Sequence, residues 1–223
     1  MSKMVVVVVP AHNEESNIRK VVEESSKHAD RVIVIDDGSA DRTSEEAQLG
    51  SRKVIVLRHR VNLGKGAALK TGCQAAVALA ADIIVTIDGD GQHPVEHIPL
   101  MVKEMMANNW QVVFSVRQGG DRMPLVRLWG NYFLNLVARN FFNLKLRDMW
   151  CGFRAIRADV LPVIDWQNSD YSGEIQMALM VGRSGLAYGE YIIPTVYSDR
   201  FRGVSIFHGL KLLAQMVIWR III

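Results

Sequence analysis

Short apolar runs alternate with helical patterns through the first half of the chain. Met4–Val9, Val32–Ile35, Val54–Leu57 and Ile83–Ile87 are rich in valine and isoleucine. Continuous apolar runs of that length fit strands covered on both faces, as in a parallel sheet. Between them, Asn17–Ala29 carries an apolar stripe of Ile18, Val21 and Val22, Arg42–Leu49 is short and polar, and Lys65–Ala81 is rich in the strong helix former alanine. This alternation implies right-handed crossovers and an α/β fold, a Rossmann-like, mainly parallel sheet with helices on both faces. Further on, the spacing predicts helices over Val95–Asn108, Pro124–Leu144 and Gly173–Gly185, and strands over Gln111–Val116 and Glu190–Tyr197.

Composition narrows the class. The 223 residues are 49% apolar and 22% charged, which excludes long disorder, collagen and coiled coil. Lysine plus arginine exceeds aspartate plus glutamate by 26 to 23, a net +3 that gives no reason to expect a nucleic-acid partner. Cys73 and Cys151 are too few for a disulfide framework, so a reduced, cytoplasmic setting is the default. Met4–Val9 is too short for a signal-peptide core and runs straight into polar residues. No stretch reaches the ~18 uncharged apolar residues of a spanning helix. Phe207–Ile223 comes nearest, but it contains His208, Lys211, Gln215 and Arg220. Its close on Ile221–Ile223 leaves open whether a membrane segment continues.

Polar residues collect where strands are expected to end. Pro10-Ala11-His12-Asn13-Glu14 follows the first strand, Asp36-Asp37-Gly38-Ser39-Ala40-Asp41 the second, Asn62-Leu63-Gly64-Lys65-Gly66 the third, and Asp88-Gly89-Asp90-Gly91-Gln92-His93-Pro94 the fourth. In such folds ligands bind beyond the carboxyl ends of the strands. Asp88, Asp90 and Gln92 alternate, and in extended backbone they would share a face, an oxygen set suited to Mg²⁺ or Mn²⁺. Gly89 and Gly91 would let a diphosphate approach. The bland alternative is an Asp-Gly turn. Asp36 and Asp37 could accept from a base or ribose, whereas Asp41 reads as a cap. Lys65 opens a helix whose N-terminus would attract anions, although neither the Walker A nor the dinucleotide glycine spacing is present. Of the histidines, only His93 is expected near the site. Trp110, Trp150 and Trp166 read as packing residues, and Cys73 as core.

These motifs in this order resemble family 2 glycosyltransferases of the GT-A fold. Asp148…Gly152-Phe153-Arg154 and Glu190…Pro194…Tyr197…Arg200…Gly203…Ser205 are similar to the polyprenyl-phosphate branch, which includes dolichyl-phosphate mannose synthases. The resemblance covers about residues 4–206. It implies a GT-A domain over 1–206, followed by an amphipathic, membrane-associated segment over 207–223. It implies that Pro10, Ala11, Asn13, Glu14, Asp36 and Asp37 hold the nucleotide together with Lys65, Asp88 and Gly89. It places the metal on Asp88, Asp90 and Gln92, the acceptor phosphate on Arg117, Arg127, Arg200 and Ser205, and catalysis on Asp90, Arg117 and Asp148. Ile206 stands where the family often has lysine, and Asn131 where it has serine.

The chemistry distinguishes two acceptors. A lipid phosphate is already anionic and needs cations rather than a base, which suits bidentate arginines. A sugar hydroxyl needs a general base, for which Asp148 is the first choice and Glu174 a poorer one. The structural alternatives are an Asp148–Arg154 ion pair and capping of the Gly173–Gly185 helix by Glu174. The expected reaction is inverting transfer of a hexose from GDP-mannose, UDP-glucose or UDP-N-acetylglucosamine to a polyprenyl phosphate. The runners-up are transfer to a sugar hydroxyl, a sugar-nucleotide nucleotidyltransferase, and a non-enzymatic nucleotide-sugar sensor. Basic amphipathic stretches over Met123–Leu146 and Phe207–Ile223 fit peripheral attachment at the cytoplasmic membrane face, or else packing on the core or in a homo-oligomer.

Overall fold

The computed structural model describes residues 3–118, 136–194, 215, 216, 218 and 219. Its strands are β1 (Val5–Ala11), β2 (Arg31–Asp36), β3 (Val54–Arg58), β4 (Ile83–Thr86), β5 (Val112–Gln118), β6 (Arg154–Arg157) and β7 (Tyr188–Pro194). Its helices are α1 (Ile18–Ser25), α2 (Thr43–Gly50), α3 (Lys65–Ala78), α4 (Ile98–Ala107, entered through a 3₁₀ turn at Val95–His97) and α5 (Ser172–Arg183); residues 136–142 are also helical. Every helix and strand expected within the described residues is present. Of the helix expected over Pro124–Leu144, residues 124–135 lie outside the described residues and 136–142 are helical, and residues 195–197 of the last expected strand lie outside the described residues.

The strands form one sheet in the order β3-β2-β1-β4-β6-β5-β7. All pairings are parallel except those of β6, which runs antiparallel to β4 and β5. The apolar strands are buried on both sides. Val6, Val8, Ile33 and Ile35 face a core shared with α3 and α5, while Val7, Val9, Val32 and Val34 face a core shared with α1 and α4. Met216 and Trp219 are buried in the first of these cores, as are Ala138 and Phe142. The chain crosses from β3 to β4 past β2 and β1, so the direction of strand addition reverses between β1 and β4. A crevice opens beyond the carboxyl ends of strands at such a reversal.

β6 was not expected. It is four residues long with arginine at both ends, so it lacks the apolar run that marks its neighbours. Because β6 is antiparallel, its first residue lies at the edge where β4 ends: Arg154 is opposite Thr86. The segment 148–153 therefore arrives at the same edge as the polar ends of β1, β2 and β4.

Candidate active site

The first two strand ends tie each other down. Asn13 adopts a left-handed backbone, φ 56°, which its short polar side chain tolerates. Its amide N–H donates to Ser39 Oγ at 2.9 Å, and its side-chain oxygen accepts from the Ala40 N–H at 2.9 Å. Asp41 accepts from the amides of Thr43 and Glu15 at 3.0 and 3.1 Å, the structural role expected of it. The Asp37 N–H donates to the Ala11 carbonyl at 2.8 Å, joining β2 to β1.

The two aspartates that end β2 are more enclosed than a pair facing a ligand. Asp36 is fully buried; it accepts from the Ser39 amide at 2.8 Å and from the Ser44 hydroxyl, and Arg58 stands 3.5 Å away. Burial opposes its charge, but these bonds outweigh burial and hold its carboxyl below the usual range. Through these contacts it orders the loop that follows β2. Asp37 accepts from the Leu63 and Gly64 amides at 2.9 and 2.7 Å and lies 2.7 Å from His59 Nδ1, while His59 Nε2 reaches Thr71 at 3.0 Å. It clamps the third polar segment to the second. The roles of His59 and Thr71 had no sequence signal.

That third segment departs from expectation. The N-terminus of α3 is covered by backbone, since the Ala67 amide donates to the Ser169 carbonyl at 3.0 Å. A methyl group on Gly64 or Gly66 would come within 2.5 Å of Ser169 O or 2.3 Å of Asn168 O, so both glycines serve close packing of the 168–170 segment. The Lys65 ammonium turns inward. It lies 2.6 Å from Asp88 Oδ1 and 2.8 Å from Glu174 Oε2, with the Tyr171 ring 5.7 Å away. Burial opposes the lysine's charge, but Asp88 and Glu174 raise its pKa nonetheless. Glu174, then, is no helix cap; its carboxylate belongs to the crevice.

Asp88 follows β4. Gly89 and Asp90 form a turn and Gly91 has φ +75°, so the extended alternation expected of Asp88, Asp90 and Gln92 is absent. Asp90 Oδ1 accepts from the Gln92 amide at 3.0 Å, and His93 Nε2 lies 3.1 Å from Asp88 Oδ2, placing His93 at the site as expected. Burial opposes ionisation of Asp88, yet Lys65 and His93 hold it well below the ordinary carboxylate range. Gly89 is packed on Pro10 and Ala11. The donors here are hard oxygens, and Asp88 already holds a cationic group, Lys65, in contact, so the residues fit a divalent cation. Among the described residues no three His, Cys, Asp or Glu side chains gather for a metal. An ion held by the Asp88 and Asp90 carboxylates would need further oxygens from the ligand's own phosphates, the habit of Mg²⁺.

Arg117 ends β5 at the same edge. Its guanidinium grips Asp148 bidentately, Nε to Oδ2 at 2.7 Å and Nη2 to Oδ1 at 3.1 Å, and this pair keeps its pKa raised against the opposing effect of burial. The expected alternative of an Asp148–Arg154 pair is overturned. Arg154, 1% exposed, instead donates to the carbonyls of Cys151, Glu174 and Met149 at 3.0, 2.7 and 3.0 Å and lies over Phe114. It fixes the 149–153 segment by its backbone. Trp166 is buried as expected, and both thiols are buried, their pKa pushed up to about 12. Arg127, Arg200 and Ser205 lie outside the described residues.

A doubly wound sheet that gathers carboxylates, glycine turns and a guanidinium beyond its carboxyl edge is built for a phosphate-bearing nucleotide. The chain belongs to glycosyl transferase family 2, whose model matches residues 6–164, and it is a glycosyltransferase drawing its sugar from a nucleotide sugar. An uncharacterised protein of Methanocaldococcus jannaschii is 32% identical over 96% of this chain and 91% of its own length. The UDP-N-acetylglucosamine–dolichyl-phosphate N-acetylglucosaminyltransferase of Methanococcus voltae is 28% identical over 96% of this chain and 95% of its own. The solved glucosyl-3-phosphoglycerate synthase of Mycobacterium tuberculosis, in complex with Mg²⁺ and UDP, superposes with a TM-score of 0.75 at 25% identity, covering 98% of this chain and 79% of that one. The fold is that of GT-A glycosyltransferases.

Proposed function

We propose that this protein transfers a hexose from a nucleotide-diphosphate sugar to a polyprenyl phosphate with inversion. The observation that carries this reading is the bidentate Arg117–Asp148 pair at the crevice edge. The carboxylate best placed to be a base is occupied by a guanidinium, and Glu174 is occupied by Lys65. A hydroxyl acceptor needs a free base; an anionic lipid phosphate needs only cations to bring it up to a second anion. The 28% identical, nearly full-length relative is named for a dolichyl-phosphate acceptor, which supports the same choice.

The residues then divide the work. Pro10, Ala11, Asn13, Glu14 and Asp37 shape the nucleoside end of the crevice, with Asp36 ordering the loop behind them. Gly89 lets the diphosphate lie close to the backbone. A Mg²⁺ or Mn²⁺ ion at Asp88, Asp90 and Gln92 would supply Lewis-acid neutralisation of the charge that develops on the leaving diphosphate. Arg117, still 43% exposed beside Asp148, offers its outward face to the acceptor phosphate, joined in this reading by Arg127, Arg200 and Ser205. Asp148 holds the guanidinium in line. The donor's nucleotide and sugar stay open among GDP-mannose, UDP-glucose and UDP-N-acetylglucosamine.

The acceptor must be met at a lipid surface. Among the described residues no helix is long and apolar enough to cross a membrane. Leu136 and Phe141 on the 136–142 helix are exposed, as is Ile218, while Ala138, Met216 and Trp219 face the core. An outward apolar face backed by Arg139 and Lys145 fits peripheral attachment to an anionic leaflet.

The test is a donor screen with Mn²⁺, short polyprenyl phosphate and the intact chain. Donor-dependent release of nucleoside diphosphate and a β-linked product by NMR are expected from an α-linked donor. Retention, or transfer only to sugar hydroxyls, overturns the reading. Asp90→Ala should abolish turnover. Arg117→Ala should leave donor affinity unchanged and raise the acceptor KM roughly tenfold or more, the scale of a lost charge-assisted phosphate contact.

A further inference from the structure

The Lys65–Asp88–Glu174 cluster holds more than a metal aspartate requires. Three elements converge to make it: the start of α3, the turn after β4 and the first turn of α5. Lys65 and Glu174 side chains are only 17% and 9% exposed, so neither charge is well solvated. A buried charge without a partner is costly, which is why such groups come paired. Asp88 could satisfy Lys65 alone. Glu174 is thus a second anchor for an ammonium that already has one, and Asp88 is the carboxylate on which the proposed function places a divalent ion. An ammonium and a divalent ion compete for the same oxygens of Asp88. If Lys65 had no other partner, yielding Asp88 would strand its charge. With Glu174 at 2.8 Å and the Tyr171 ring beside it, the ammonium has somewhere to stay.

We propose that Glu174 is a positioning residue of the donor site, giving the Lys65 ammonium a resting place so that Asp88 can pass from its internal cation to a divalent one. Glu174 touches neither substrate nor ion; it acts through Lys65. The inference rests on the reading that Asp88, Asp90 and Gln92 hold the metal, and the experiment separates the two.

The measurement is Mn²⁺ binding to the full-length chain at pH 8, without donor or acceptor, followed by loss of the free-ion EPR signal. Wild type should bind saturably and Asp90→Asn should not. Lys65→Gln removes the competitor and should tighten binding roughly tenfold, whereas Glu174→Gln should weaken it roughly fivefold, the scale of one charge contact in a half-buried site. The double variant decides the mechanism. Acting through Lys65, Glu174→Gln should have no further effect in the Lys65→Gln background. Glu174→Asp keeps the charge but withdraws it by one methylene, and should bind as weakly as Glu174→Gln; each variant is first shown to be folded by near-ultraviolet circular dichroism. Equal weakening in both backgrounds, or wild-type binding by Glu174→Asp, means Glu174 acts by charge alone and overturns the inference while leaving the metal site intact. Mn²⁺ binding that survives Asp90→Asn overturns the metal reading and the inference together.

Discussion

At the scale of single residues the donor cluster has no spare room. A methyl group on Gly152 would lie 2.9 Å from Asp88 Oδ1 and 3.0 Å from Glu174 Oε1, and the Gly152 carbonyl accepts from the Thr86 hydroxyl at 2.7 Å. The backbone is pinned from one side and faces two carboxylates on the other. Gly152→Ala is expected to push these carboxylates off Lys65, costing about 1–3 kcal/mol as an overpacked substitution does. Donor affinity, measured by calorimetry, should fall by more than the stability loss implies at an ordinary core site. Much of this neighbourhood was legible in the sequence. Asp88, Asp90, Gln92 and His93 sit in one turn, so proximity along the chain places them together in space. Partnerships over long separations were not legible. Arg117 is 31 residues from Asp148, and Lys65 is about a hundred from Glu174. Nothing in their local context says that Arg154, much nearer to Asp148, takes backbone carbonyls instead.

At the scale of elements the informative case is β6. The strands with continuous apolar runs were legible because burial on both faces leaves one kind of sequence. β6 fills the gap between β4 and β5 with Arg-Ala-Ile-Arg, and its side chains do work that a hydropathy pattern does not encode. Ala155 and Ile156 are buried, while Arg154 acts as an internal strut that joins β6, α5 and the 149–153 segment by three hydrogen bonds to carbonyls. A lysine cannot span those acceptors. Arg154→Lys should therefore leave buried carbonyls unmet and cost about 2–4 kcal/mol in chemical denaturation, in line with losing a buried charge-assisted network. Because the strut holds the segment carrying Asp148 and Gly152, turnover should drop further at temperatures where the variant is still folded. A variant as stable as wild type would show that the carbonyls find other partners and that β6 is held by its ladder alone.

At the scale of the whole molecule, one sheet separates two cores, and the site lies along the edge where both meet solvent. The two cysteines mark the two sides. Cys73 on α3 belongs to the core shared with α5, and Cys151 before β6 to the core shared with α1 and α4. Both are buried, and burial pushes each pKa up to about 12, so neither should react with an aromatic disulfide at pH 8 in the native state. If the shared sheet makes the cores one cooperative unit, both thiols should become reactive with the same denaturant dependence. Early reaction of Cys151 alone would instead mark the 148–153 segment as a unit that opens by itself, ahead of the fold. The same thiols give the pH dependence a sign. A native pKa raised above the unfolded value means the native state keeps protons that the unfolded chain loses. Their contribution is thus whole below the reference value of 9.0 and is lost as pH rises toward about 12. Alanine in place of both cysteines should flatten the fall in stability across that alkaline window, and the flattening should divide between the two sites if each side of the sheet is sealed independently.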